Sequence, residues 1–259
     1  MKENPIWLLI DGNNQVVTTA HGARGDCEAA PRYVFNRIER LVNFINPLNV
    51  ITAWDTGRTF RHDLLPGYKA GRSRLDGIDT AIQTTKRMLE DAGHRNFVSE
   101  GFEADDIIAT CCKDALEAGC NAVIYSADAD LHQLLVRDHV SQLLHAKFDR
   151  RDGDELQWIT ATKLFEKYGI TPSQWVDYRC LVGDESDKVK GVPTIGPKTA
   201  GDILAACGTL NRFYEEPFRA PITERQHSKM MNAKDHIDLL RQIFTLIRDV
   251  PIETPVGAI

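Results

Sequence analysis

The chain has 259 residues and a mass of 29.1 kDa, enough for one large α/β domain or a core domain with a smaller companion, and well above the size that needs staples. Its composition, 42% hydrophobic, 26% charged and 8% aromatic, sets aside disorder, and no apolar run approaches the roughly 20 residues that span a bilayer. With 31 Lys and Arg against 37 Asp and Glu the net charge is −6, which argues against a polyanionic partner only if the acids are spread evenly.

Met1 to Pro5 leads straight into an apolar run at 6–10, too short for a secretory signal and without a small-residue cleavage site, so a cytoplasmic protein is expected. That run reads as a buried strand ending at Asp11. Pro31 can open a helix, with Phe35, Ile38, Leu41, Val42 and Ile45 at helical spacing before Pro47 stops it. A strand at 50–54 ends at Asp55, a helix is expected over about 77–92, and a short strand follows at 96–98. A helix over 104–118 with Gly119 as its C-cap then precedes a strand at 121–125 that runs into Ser126-Ala127-Asp128. This alternation predicts an α/β fold whose mostly parallel central sheet is flanked by helices. The polar stretch 149–155 reads as a hairpin turn, and beyond it only helices are expected, over 160–168, 172–182, 197–206 and 234–248. The predicted division is an α/β core over 1–155 and a helical region over 156–259.

The six cysteines form no Cys-x-x-Cys pair and no zinc spacing with histidine, so buried free thiols are expected. In an open parallel sheet, ligand sites lie beyond the carboxyl ends of the strands. Three predicted strands end there in acids, Asp11, Asp55, and Asp128 with Asp130, and a fourth leads to Glu103, Asp105 and Asp106. One acid per helix start is an ordinary N-cap. Caps alone do not account for three acids at one start and two at another, a density that raises carboxyl pKa values unless cations sit among them. Carboxylate-only ligands select Mg²⁺ or Mn²⁺ rather than zinc. Seven on one rim suit two ions about 4 Å apart, the arrangement that activates a water and stabilises the leaving oxygen in phosphodiester displacement.

Between 58 and 74 there are five Lys and Arg and one Asp, a local charge of +4, with Phe60 and Tyr68 interleaved. Phosphate neutralisation plus a stacking platform suits single-stranded nucleic acid; a solvated basic loop is the bland alternative, and the position just after a rim aspartate favours substrate contact. Gly191 to Ala200 nearly matches a P-loop. Pro197, however, separates Gly196 from Lys198 and removes a backbone donor, and no apolar strand precedes the glycines, so nucleotide hydrolysis is rejected. What remains is a glycine hairpin feeding a helix whose free N–H groups can hold a backbone phosphate, with Lys188, Lys190 and Lys198 adding positive charge.

These segments together resemble the 5′-nuclease family, the 5′ to 3′ exonuclease domain of bacterial DNA polymerase I and the stand-alone flap endonucleases of phages and bacteria. The motifs are Leu9-Ile10-Asp11-Gly12, Phe60-Arg61-His62 with Gly67 to Arg72, Glu103-Ala104-Asp105-Asp106, Ser126 to Leu131, Asp177-Tyr178-Arg179, and Gly183 to Asp187 leading into Gly196 to Ala200. The resemblance implies a PIN-like core with an arch or clamp at about 58–93 and a helix-hairpin-helix at about 183–207. It also implies that Asp11, Asp55, Glu103, Asp105, Asp106, Asp128, Asp130, Asp184 and Asp187 are the metal-site acids, Asp11 and Asp128 being catalytic. Lys69 and Arg72 are then expected on the scissile phosphate, with Arg61 on DNA and Tyr68 near the bases. Lys188, Lys190, Gly191, Gly196, Lys198 and Thr199 are expected on duplex DNA, and K⁺ on the carbonyls of Val192 and Ile195. Val17-Thr18, Ala129 and Lys188-Val189-Lys190 depart from the polymerase I pattern, and none of them removes an acid.

The expected activity is Mg²⁺-dependent, structure-specific 5′-nuclease hydrolysis of 5′-flap, nicked or branched DNA, with RNA primers as a further substrate, in replication and repair. No polymerase domain is expected to follow, so the protein is expected to work alone or in trans; a monomer with no membrane partner is also expected. A non-catalytic binder of branched DNA and a PIN-like ribonuclease are the alternatives; the glycine hairpin disfavours the second, since single-stranded RNA needs no duplex grip. Setting the nine acids aside leaves 28 against 31 bases, a balance of +3, so the acidity is concentrated where metals are expected.

Overall fold

The computed structural model describes residues 4–71, 74–148 and 153–252. Among these, residues 4–59, 74–160 and 246–252 form one compact unit, and 60–71 with 161–245 form another. Residues 60–71 and 246–252 are thus assigned differently from a single division at 155. None of the described helices is long and apolar enough to cross a membrane.

The first unit is built on a six-stranded sheet. Its strands are β1 (Ile6–Asp11), β2 (Asn49–Ala53), β3 (Arg95–Phe97), β4 (Asn121–Tyr125), β5 (Val140–Lys147) and β6 (Glu155–Ile159), in the order β3-β2-β1-β4-β5-β6. All neighbours are parallel except β5 and β6. Strand alternation divides the core: Leu8 and Ile10 pack on one face, and Leu9 on the other. The first face is covered by α1 (Gly12–Gly22), α2 (Ala30–Ile45) and α4 (Ile78–Asp91), and the second by α5 (Ala104–Glu117). Asp11 is in register with Ala53 and Ile10 with Tyr125, so β1, β2 and β4 end at one edge.

Two expectations from the sequence need correction. Residues past 155 are not helical alone, because β6 extends the sheet, and α1 and β5 have no counterpart in the sequence reading. α1 is polar and β-branched, burying only Gly12, Gln15, Val16 and Ala20. β5 carries a buried glutamine, Gln142, and a register shift between Leu143 and His145, which breaks the period of two. Residues 149–152 of the expected turn lie outside the described residues.

The second unit contains α3 (Phe60–Leu64), α6 (Ala161–Tyr168), α7 (Trp175–Val182), a short antiparallel pair β7 (Gly183–Asp184) and β8 (Val189–Lys190), α8 (Pro197–Cys207), α9 (Leu210–Glu215), α10 (Glu224–Asn232) and α11 (Lys234–Phe244). The last helix stops earlier than its apolar spacing suggests, at an extended Thr245 (ψ 122°). The chain then returns to the first unit, where Leu246 and Val250 join the α5 core, Ile247 N donates to Asp106 Oδ1 (2.9 Å) and Val250 N to Thr110 Oγ1 (3.1 Å). All six cysteines are free and buried, and burial pushes the Cys111 and Cys112 thiols up to about 12, which leaves them unreactive at neutral pH.

Candidate active site

At the carboxyl edge of the sheet, Asp11 is 5% exposed. Its Oδ1 accepts from Asn14 N (2.9 Å), capping α1, and its Oδ2 accepts from Ser126 Oγ (2.8 Å), while that hydroxyl oxygen accepts from Asp128 N (3.0 Å). Burial chiefly, and then the charges of Asp55 and Asp128, push the Asp11 carboxyl up to about 7 against the pull of the Asn14 and Ser126 bonds. Among the described residues no Lys, Arg or His is paired with it.

Around Asp11, the other acids take up local bonds that a search for ligands overlooks. Asp55 Oδ1 accepts from Ala104 N (2.8 Å), bridging the end of β2 to the start of α5. Glu103 and Asp106 form a capping box, with Glu103 N donating to Asp106 Oδ2 (3.1 Å). Asp106 is fully buried, its second oxygen holding Ile247 N. Asp128 caps a 3₁₀ turn over Ala129–Leu134 through Asp130 N (2.8 Å). Asp105 and Asp130 are half-buried in these first turns. Capping is therefore more extensive than the crowding argument allowed, because an acid between a strand end and a helix start meets unpaired N–H groups whatever else it does.

Among the described residues no three Asp, Glu, His or Cys side chains close into a ligand cluster. Asp11 is in electrostatic contact with Asp55 and Asp128. Carboxylate oxygens that accept one hydrogen bond keep a second lone pair. Asp11 is buried beside two further carboxylates and, among the described residues, without a basic partner, and carboxylate oxygens are the donors that hard divalent cations take. Ser126 and Asn14 orient Asp11, a role that the sequence does not assign to either; Ser126 stands in a motif directly at a strand end before Asp128, and that position is its signal.

In the second unit, Lys69 adopts a left-handed backbone (φ 53°) and its N–H donates to the Asp187 carbonyl (3.0 Å), while its Nζ lies 5.1 Å from the centre of the Tyr68 ring. Two DNA-contact expectations are corrected here. Arg61 is 1% exposed and donates to the carbonyls of Ile243 (2.7 Å) and Thr245 (3.3 Å), bracing α3 against the end of α11. Tyr68 is 5% exposed and packs edge-on against His62 at 5.3 Å, so its faces are not open for base stacking. Neither role is visible in a basic-aromatic pattern, which reads alike whether side chains turn inward or outward. Arg72 lies outside the described residues.

Asp184 forms an ion pair with Arg179 and accepts from Ser186 N (2.7 Å), Ser186 Oγ (2.6 Å) and Asp187 N (3.2 Å). Burial pushes this carboxyl up, but the Ser186 hydroxyl and the Arg179 guanidinium outweigh it and hold the pKa below the usual range. Asp187 is buried. Lys188, Lys190 and Lys198 are exposed and Thr199 is half-buried. α8 begins at Pro197 after Gly196 with no side-chain cap bond, and the Val192 carbonyl accepts from Ile195 N (3.1 Å).

Gly191 has a packing role of its own. A Cβ there would sit 2.3 Å from the Leu181 carbonyl oxygen, and one on Gly183, whose φ is 77°, would sit 2.4 Å from Gly191 N. A Cβ on Gly196 meets nothing within 4 Å. Gly191→Ala is thus expected to cost more than about 3 kcal/mol, and Gly196→Ala less than about 1 kcal/mol. Thermal melting of the two variants checks this; equal losses would contradict the close crossing of β7 and β8.

Residues 7–169 match a family described as the 5′-3′ exonuclease N-terminal resolvase-like domain, and residues 170–259 match the 5′-3′ exonuclease C-terminal SAM fold. A 5′-3′ exonuclease of Halalkalibacterium halodurans is 30% identical over 265 residues, covering 95% of this chain and 85% of the relative. The DNA polymerase I of Deinococcus radiodurans is 31% identical over 202 residues, 77% of this chain, and the match spans only 20% of that much longer protein. Among solved structures, the flap endonuclease of bacteriophage T5, in a complex with DNA and metal ions, superposes with a TM-score of 0.75 at 20% identity, covering 92% of this chain and 88% of that one. That likeness is one of fold.

Proposed function

Because this chain belongs to the 5′-3′ exonuclease family, we propose that it is a divalent-metal-dependent 5′-nuclease that hydrolyses DNA phosphodiesters near junctions of single and double strand. The observation that carries this reading is the buried Asp11 carboxyl, raised to about 7 and flanked by the charges of Asp55 and Asp128. These three, with Glu103, Asp105, Asp106, Asp130, Asp184 and Asp187 assigned by motif, would hold two Mg²⁺ or Mn²⁺ ions. Such ions, when bound, activate water and stabilise a leaving oxygen.

The chain's own residues do the rest. Asn14 and Ser126 fix both oxygens of Asp11, so its carboxylate is oriented before any ligand arrives. Lys69, on a backbone tied to Asp187, offers positive charge to a phosphate, with Arg72 as its partner by motif. Lys188, Lys190, Lys198 and Thr199, beside the uncapped start of α8, hold duplex phosphates, and the carbonyls of Val192 and Ile195 are candidates for K⁺. Substrates of this kind are 5′-flap, nicked and branched DNA, and RNA-primed strands, in replication and repair, with the protein acting as a monomer.

A labelled 5′-flap duplex incubated with Mg²⁺ tests the reading. Cleavage near the junction is expected, with loss in chelator and at least a thousandfold loss in Asp128→Ala. Binding without turnover, or equal cleavage by Asp128→Ala and wild type, would sink it.

A further inference from the structure

The first unit carries a second feature that the acidic rim does not use. An open groove of about 1090 Å³ lies between α1, α2 and the β5–β6 hairpin. On its wall, Arg37 donates through Nη2 to Gln15 Oε1 (3.1 Å) and Thr19 Oγ1 (2.7 Å), and its guanidinium lies 5.9 Å from the centre of the Tyr125 ring. Its Nε is buried with no hydrogen-bond partner. These partners are neutral, and the half-buried guanidinium has more donors than they use, which suits it to an anion.

Arg40, His145 and Lys147 line the same groove, and among the described residues lining it there is no Asp or Glu. Arg40 is fixed by a bond from Nη1 to the Phe148 carbonyl (2.9 Å). Tyr33, 60% exposed, stands at the wall with its ring available for stacking. The groove is also continuous with the rim: Ala127, between Ser126 and Asp128, is part of its lining, and so is Gln15, one turn after Asp11. A concave surface with basic groups, an exposed aromatic ring and no acid matches a phosphate-bearing chain with bases to stack.

We propose that this groove is a strand subsite, in which Arg37 receives a backbone phosphate of single-stranded polynucleotide and Arg40, Lys147 and Tyr33 hold the adjoining nucleotides. The proposal rests on the nuclease reading for its purpose, since it places the strand beside Asp128, but not for its chemistry. An exposed basic loop would bind the same polymer weakly and diffusely. Arg37 differs in that its donors are pre-oriented by Gln15 and Thr19, so one residue carries a disproportionate share of the affinity.

The test is the binding of a short fluorescent oligothymidylate, followed by anisotropy in chelator, where no cleavage occurs. Arg37→Gln is expected to weaken binding about tenfold, and Arg40→Gln and Lys147→Gln about threefold each, with each change lowering the salt dependence by about one ion. Lys113→Gln, on the opposite face of the sheet, serves as the control and should bind as wild type. If Arg37→Gln fails to fold, the Arg40→Gln and Lys147→Gln pair carries the test, because both side chains are exposed. Wild-type binding by folded groove variants overturns the subsite, while flap cleavage by wild type would leave the nuclease reading intact. Weakened binding by the groove variants, in a wild type that cleaves no flap with Mg²⁺, would uphold the subsite and overturn the nuclease reading.

Discussion

Asp11→Asn is expected to abolish hydrolysis and, at the same time, to make the metal-free protein more stable above neutral pH. The wild-type carboxyl is raised from 3.8 to about 7, chiefly by burial. A folded state that holds this proton more tightly than the unfolded chain gains stability that is fully present below pH ~4 and is lost as pH rises through about 7. Three pKa units correspond to about 4 kcal/mol. Asparagine keeps an acceptor for Asn14 N and removes the charge. In chelator, the wild-type melting temperature should therefore fall between pH 4 and pH 8, while that of Asp11→Asn falls much less. Mg²⁺ should restore the wild type at pH 8, because ligand that binds only the folded state adds its own stability. A wild-type melting temperature that is flat over this range in chelator would contradict the buried, uncompensated carboxylate. Flap cleavage by Asp11→Asn should fall at least about a thousandfold.

Lys69→Ala has the second large expected effect, a fall of about a hundredfold to a thousandfold in kcat with a modest change in DNA affinity. A cation set on a phosphate counts most where charge develops, in the transition state, and less in the ground state, where several lysines share the binding. The backbone here is fixed independently of the side chain: φ is 53° and the N–H donates to the Asp187 carbonyl, a bond that alanine retains. The substitution thus removes the ammonium without releasing the segment. Single-turnover cleavage at saturating enzyme separates the two quantities, and an unchanged rate with weakened binding would recast Lys69 as a simple phosphate contact.

The parts of the fold that the sequence makes legible are those whose apolar residues lie in one face or one run. β1, β2 and β4 are short apolar runs between polar residues, and α2 has a strong helical stripe, so each is legible to within a few residues. α1, β5 and the return of 246–252 are not legible in the same way. α1 is held by Asp11 at its start and by the Arg37 contacts to Gln15 and Thr19, and 246–252 is held by bonds to Asp106, Thr110 and Gln133. Those partners are far away in sequence and leave no periodic trace. For the site, acids at strand ends were readable because strand ends are readable. Which oxygens cap, which pair with arginine, and whether Arg61 and Tyr68 face inward depend on packing that residue type does not encode. Arg37 is hidden for the same reason: only tertiary contact shows which arginine of α2 is held by Gln15 and Thr19 and lies over the Tyr125 ring.

The central claim is that the carboxylates at the sheet edge form a divalent-cation site organised by Asp11. Titration of Mn²⁺ followed by electron paramagnetic resonance measures this directly, without substrate. The account predicts about two ions bound per chain in the wild type, and loss of the tighter one in a folded Asp11→Asn protein. No Mn²⁺ binding by the wild type, or the same stoichiometry and affinity in Asp11→Asn, would contradict it.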